Sequence, residues 1–214
     1  HKPDRRQRQM CIRDRAAGQS RRMGKINKLT AVVAGKPVIR HVVDTVLEAG
    51  LKDIVVVLGY DEQAVSACLE GLPVRFVKNE AFRSGQASSV SAGIAALDKN
   101  VSDAMVVLGD MPLLNAALLN NLYHHHMRNP QHEQMISLPV CLKDRESQVG
   151  HPVIWGRQFF PDLQALTGDQ GGRQIWSDHP AIINQMDVED ATLFLDTDTA
   201  EALRQAEVLL LARN

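Results

Sequence analysis

Two uninterrupted apolar runs constrain this chain most: IVVVL at residues 54–58 and AMVVL at residues 104–108. Neither alternates with polar residues. A short run this rich in β-branched side chains reads as a strand covered on both faces. PVRFVKN (73–79) and MISLPV (135–140) read as further strands, with AIINQMDV (181–188) and TLFLD (192–196) later. Between them lie helical patterns. GKPVIRHVVDTVLEAG (35–50) has Pro37 where a helix can begin and Gly50 where it can end, with Val38, Val42, Val46 and Leu47 sharing a face. Residues 61–70, 86–97 and 115–128 read as helices too. A last helix is expected near Asp198, where Asp198 to Glu201 have the spacing of a capping box. This alternation predicts an α/β fold in three layers, a mostly parallel twisted sheet with helices on both faces. In such a sheet, ligands bind beyond the carboxyl ends of the strands.

The bulk properties narrow the function. The chain has 214 residues, 44% of them apolar, enough for one generous α/β domain. A net charge of -1 gives no bulk argument for a nucleic-acid partner, and 4% aromatics leave little for stacking bases. The apolar runs are strand-sized, too short to span a bilayer. Cys11, Cys68 and Cys141 are scattered without CxxC spacing, which suits a reducing, cytoplasmic setting.

Six constellations carry polar chemistry. AAGQSRRMGKINK (16–28) reads either as a phosphate loop, in which Ala16, Ala17 and Gly18 would let backbone N–H groups approach a phosphate, or as an exposed basic turn. Ser20 adds a hydroxyl, and Arg21, Arg22, Lys25 and Lys28 add cations. The spacing is neither the Walker pattern nor the dinucleotide fingerprint. VVLGDMP (106–112) puts Asp110 at the tip of a strand, placed for a hard divalent cation or for capping a helix. In NEAFRSGQASSVSAG (79–93), the Asn79 amide could read a base edge. Gly85, Ser88 and Ser89 mark a loop-to-helix junction, either an anion site or a plain helix start. GHP (150–152) and TGDQGGR (167–173) are polar turns; His151 could bind an anionic substrate or only orient its loop, and Arg173 could meet a phosphate from a first helical turn. FLDTDT (194–199) offers Asp196 or Asp198 as a further metal ligand, with Asp198 equally suited to a helix cap. His124, His125 and His126 are consecutive and fan out around a helix, which reads as a solvated face.

These pieces, in this order, resemble the nucleotidyltransferase family that includes molybdenum cofactor cytidylyltransferase and its guanylyltransferase relative. That family opens with LAAGxSxRMG and a nearby lysine, matched by residues 16–24 and Lys28. GKP, a strand ending VLG, an asparagine before GxxxS, GDMP, GHP, GDxGxR and DIDTPED follow. Their counterparts here are residues 35–37, 57–59, Asn79 with 85–89, 109–112, 150–152, 168–173 and 196–202. The last motif lacks its proline and final acid. The resemblance implies a Rossmann-like nucleotidyltransferase fold over residues 16–214. It also implies transfer of a nucleoside monophosphate from a nucleoside triphosphate, CTP favoured, to a phosphate-bearing acceptor such as molybdopterin, with release of pyrophosphate. Mg²⁺ on Asp110, with Asp196 or Asp198 as a further ligand, is the implied cofactor. Arg22, Lys28 and Asp110 are the implied catalytic residues. Ala16, Ala17, Gly18, Ser20, Arg22, Lys28, Asn79, Gly85, Ser88 and Ser89 would hold the nucleotide. His151 and Arg173 would hold the acceptor, and a molybdoenzyme or accessory chaperone would be a protein partner. The alternatives are a transferase acting on a sugar phosphate or phospholactate, and a nucleotide-binding accessory protein whose chemistry has lapsed.

The family's central first strand is apolar and ends in Leu before Ala-Ala-Gly. This chain has Cys11-Ile-Arg-Asp-Arg15 there. Burying those charges unpaired would cost several kcal/mol. Residues 1–15 are therefore expected to be a non-native or disordered leader.

Overall fold

Side chains that branch at Cβ crowd a helix and fit a pleated sheet, and both uninterrupted apolar runs are strands. The computed structural model describes residues 9–13, 27–143, 146–169, 171–177 and 180–213. In chain order the elements begin with β1 (Gln9–Arg13), a small hairpin of β2 (Val32–Val33) and β3 (Lys36–Pro37), α1 (Val38–Glu48), β4 (Ile54–Leu58), α2 (Glu62–Cys68), β5 (Val74–Lys78) and α3 (Gln86–Ala95). They continue with β6 (Asp103–Leu108), α4 (Ala116–Met127), β7 (Ile136–Lys143), β8 (Glu146–Val149), β9 (Val153–Gly156), α5 (Phe160–Ala165), α6 (Arg173–Ser177), β10 (Ile183–Asp187) and α7 (Ala200–Arg213).

The main sheet runs β10-β7-β9-β6-β1-β4-β5, with β8 paired to β7. β1, β4, β5 and β6 form a parallel block, as expected. β9 departs from expectation: VIWG is only four residues long, yet it lies antiparallel between β6 and β7 and makes the sheet mixed. Alternate residues of the central strands supply opposite cores. Ile54, Val56, Met105 and Val107 pack with α1 and α4 on one face. Val55 and Val57 pack against Ala92 and Ala96 of α3 on the other, and Ala104 and Val106 join Val90, Ile94, Val153 and Trp155 there. Each fully buried Val or Leu contributes about 1.5–3 kcal/mol, which explains why polar residues are missing from residues 54–58 and 104–108.

The structure revises three sequence expectations. Within residues 1–15, expected as a non-native or disordered leader, Gln9–Arg13 is an interior strand between β4 and β6. Two parallel neighbours offer that backbone a full set of ladder partners, and Met10, Cys11 and Ile12 form a short apolar centre in sequence. TLFLD is not a strand. Asp190 accepts hydrogen bonds from Thr192 N–H at 2.9 Å and from its hydroxyl at 2.6 Å, and this local capping turns 191–194 into a 3-10 helix with Leu193 and Phe194 buried. Finally, α7 is capped by Thr199, whose hydroxyl accepts the Ala202 N–H at 3.1 Å. Asp198 is thereby left for other work.

No helix among the described residues is long and apolar enough to cross a membrane. Because β1 is hydrogen-bonded on both sides, its amides should exchange with solvent as slowly as those of β4. Hydrogen-exchange mass spectrometry over residues 9–13 checks this, and exchange at the rate of an unstructured peptide would contradict it.

Candidate nucleotide-transfer site

The site grows out of the carboxyl ends of the central strands. After β6, Gly109 is followed by Asp110, which is fully buried. Its backbone oxygen accepts two hydrogen bonds from Thr197, from the N–H at 3.0 Å and the hydroxyl at 3.1 Å. Thr197 is itself fully buried. This clamp fixes the residues 196–198 stretch against the end of β6. Nothing in the sequence singled Thr197 out except its place between two aspartates.

Lys28 completes the centre. Asn27 Oδ1 accepts the Leu29 N–H at 3.0 Å, and Thr30 donates twice to the Asn27 carbonyl. Leu29 and Ala31 carbonyls then receive the first amides of α1, Ile39 and Val38. The turn so pinned directs Lys28 inward, where its ammonium donates to Asp110 Oδ2 and Asp198 Oδ1. Lys28 is 4% exposed, Asp110 0% and Asp198 40%. Burial alone would lower the Lys28 pKa. The charges and hydrogen bonds of Asp110 and Asp198 outweigh it and hold the pKa above the ordinary lysine value of 10.5. The ammonium therefore stays charged at neutral pH.

Asp110 Oδ1 is buried and has no hydrogen-bond partner among the described residues. An orphaned carboxylate oxygen is costly unless a cation or donor meets it. With the Asp198 carboxylate opposite, these hard oxygen donors fit a divalent cation such as Mg²⁺. Asn27 Nδ2 is a second buried atom without a partner among the described residues, and its sequence gave no sign of that.

The remaining motifs fall into two groups. Asn79, after β5, does not present its amide as expected for reading a base. Its Nδ2 donates to the Ser88 and Ser89 hydroxyls at 2.8 and 3.0 Å, and its Oδ1 accepts the Ala81 N–H at 3.0 Å. It ties the end of β5 to the first turn of α3. Gly85 has φ 116°, and a Cβ there would lie 2.1 Å from the Gly168 carbonyl oxygen. That carbonyl accepts the Ala87 N–H at 3.1 Å, so one amide at the start of α3 is already taken. The close approach joins residues 79–89 to the turn that precedes α6.

The second group lines a cavity of about 430 Å³ that includes Gln86, His151, Arg173, Trp176 and Asp196. Four motifs far apart in sequence therefore share one space. Gly150 allows it, since a Cβ there would meet the Phe194 ring at 2.3 Å. Gly172 lies as close to Trp155, and Trp155 stacks on Trp176. Leu108 and Met111 also line the cavity, so it opens beside Asp110. Ala16, Ala17, Gly18, Ser20 and Arg22 lie outside the described residues.

Comparison with known proteins agrees with this architecture. The model of the MobA-like NTP transferase domain matches residues 16–183. The chain belongs to that family. Nicotine blue oxidoreductase of Paenarthrobacter nicotinovorans is 29% identical over 189 residues, 88% of this chain and 91% of that protein. The bifunctional protein GlmU of Sinorhizobium fredii is 42% identical over 108 residues, 49% of this chain but only 23% of GlmU. Among solved structures, Rv0371c of Mycobacterium tuberculosis superposes with a TM-score of 0.77 at 23% identity, covering 95% of this chain and 99% of that one. A manganese complex of Rv0371C superposes at 0.72 and 22% identity, covering 94% and 98%. The nucleotidyltransferase fold is thus shared along nearly the whole chain.

Removing one partner of a buried ion cluster leaves uncompensated charge, at a cost of about 3–5 kcal/mol. Lys28→Met should destabilise the fold by that amount at neutral pH. A raised folded pKa means that the Lys28 contribution is complete below the unfolded value and is lost as pH rises through the folded one. Denaturant melts should show the gap between wild type and variant closing above the ordinary lysine value of 10.5. A gap that stays constant into that alkaline range would contradict the assignment.

Proposed function

We propose that this chain is a nucleotidyltransferase domain that moves a nucleoside monophosphate from a nucleoside triphosphate to a phosphate-bearing acceptor. CTP is the favoured donor and molybdopterin the favoured acceptor, both following the motif resemblance, with a molybdoenzyme or accessory chaperone as the downstream protein partner. The observation that carries the reading is the Lys28–Asp110–Asp198 cluster beside the cavity that holds His151 and Arg173. Free thiols at Cys68 and Cys141 suit a reducing cytoplasm.

The chemistry asks for positioning and charge neutralisation. An anionic phosphate oxygen of the acceptor attacks the α-phosphorus of the triphosphate. A new P–O bond forms, the bond from the α-phosphorus to the β-bridging oxygen breaks, and pyrophosphate leaves with that electron pair. The attacking oxygen is already deprotonated, so no strong base or covalent nucleophile is required. Lys28, held charged by its two carboxylates, neutralises the growing charge on the leaving group, with Arg22. His151 and Arg173 hold the acceptor phosphate in the cavity, Arg173 through a two-pronged guanidinium contact. Asn79 positions Ser88 and Ser89 for the nucleotide instead of reading the base itself. Asp110 and Asp198 would hold Mg²⁺, which when bound supplies Lewis-acid neutralisation of phosphate oxygens.

The Paenarthrobacter relative supports a second reading, an oxidoreductase on the same fold. The two readings part on what is released. Asp110→Asn should lower pyrophosphate release from the preferred triphosphate by about 10²–10³-fold, the scale of losing one preorganised electrostatic group. Assays with each triphosphate, with and without molybdopterin, sugar phosphates and phospholactate, check this. Turnover in the variant equal to wild type would remove Asp110 from the mechanism. No release with any pair, together with reduction of a dye substrate, would favour the redox reading.

A further inference from the structure

We propose that Asp103, His126 and His132 form a binding site for a transition-metal ion of the Zn²⁺ type, at the opposite end of β6 from the transfer site. Asp103 opens β6, whereas Asp110 lies two residues past its last residue, Leu108. At about 3.3 Å per residue, roughly 16 Å of strand separates the two ends. The proposal therefore stands independently of the transfer reaction.

The three side chains come from three elements: β6, the last turn of α4, and the 3-10 helix at 132–134. His126 Nε2 and His132 Nδ1 each lie 2.9 Å from Asp103 Oδ1. All three potential ligand atoms fall within 4.8 Å of one another. Two imidazole nitrogens and a carboxylate oxygen are the donor set that Zn²⁺ accepts in sites completed by water, with ligand distances of about 2.0–2.2 Å. The histidines meant for a solvated face divide here. A helix does fan out consecutive side chains, but this turns one of the three inward, and His126 is fully buried.

Outer contacts that orient metal ligands are already in place. His126 Nδ1 lies 2.7 Å from Ser137 Oγ, which also accepts from Asn184 Nδ2 at 3.1 Å. That contact frees Nε2 to face Asp103. Ser102 Oγ donates to the other carboxylate oxygen of Asp103 at 2.5 Å, leaving Oδ1 toward the histidines. Such supports fix ring orientation and carboxylate direction at metal centres. The backbone of His132 is equally constrained. Its N–H donates to the Asn129 carbonyl, its carbonyl accepts from Met135, and a Cβ at Gly156 would lie 2.5 Å from that carbonyl oxygen. The ion would cross-link the α4–β7 connection to the start of β6. Side-chain exposures of 7% at His132 and 10% at Asp103 leave a narrow way in.

The test uses the full chain stripped with a chelator. Co²⁺ should bind at one equivalent with intense visible bands of a tetrahedral site, Zn²⁺ should displace it, and excess Mg²⁺ should not, since Mg²⁺ prefers octahedral oxygen ligands. His132→Gln should abolish the bands. Where that variant does not fold, Ser137→Ala decides, with Co²⁺ affinity falling about 10- to 100-fold because an outer contact is lost while all three ligands remain. Absence of tetrahedral bands in the wild-type chain would overturn the site, as would bands displaced by Mg²⁺ or undiminished in the folded variant.

Discussion

A lysine ammonium buried between two carboxylates organises this molecule. Lys28 comes from the segment after β1, Asp110 from the end of β6 and Asp198 from just before α7. Taking those charges from water costs several kcal/mol per ion unless each finds its partner. The three chain segments therefore have to arrive together. Their arrival sets the direction of the Asn27 turn, the start of α1 and the seat of the 196–198 stretch, which Thr197 fastens to the Asp110 carbonyl. In the proposed transfer, these same charges would face the triphosphate.

Glycine does the complementary work by letting backbones touch. At Gly85, Gly150 and Gly172 a Cβ would overlap a carbonyl, a phenyl ring or an indole. These contacts bring the turn before α3, the turn before β9 and the turn before α6 around one cavity. Side chains separated by over twenty residues, such as His151 and Arg173, share it only because those approaches are close. The cavity is thus a property of the packing between turns, and its polar residues inherit their positions from it.

Much of the fold was legible because burial on both faces leaves a strong mark. The runs at 54–58 and 104–108 could be little else, and the helices between them carry their periodicity openly. What escaped was decided by contacts that composition does not record. VIWG is too short to announce a strand. In TLFLD a single Asp190 side chain outcompetes β-propensity. Thr199 and Asp198 are both good caps one position apart; Thr199 takes the Ala202 N–H while Asp198 accepts from Lys28. At the candidate site, Asp110 and Asp198 were legible as carboxylates just after apolar runs, and Lys28 as one of four cations in the loop at 16–28. Asn79 was legible as important but not in its role, since its partners Ser88 and Ser89 are nine and ten residues away. Asn27 and Thr197 act through backbone contacts and leave no comparable trace.

The proposed transfer is tested most directly by whether an acceptor phosphate becomes joined to a nucleoside monophosphate. Phosphorus-31 NMR of the wild-type chain, incubated with CTP, Mg²⁺ and molybdopterin, observes the bond itself. The CTP resonances should decay while a coupled pair for a new diphosphate linkage grows in step with inorganic pyrophosphate. Persistence of CTP with every phosphate-bearing acceptor and every other triphosphate would contradict it.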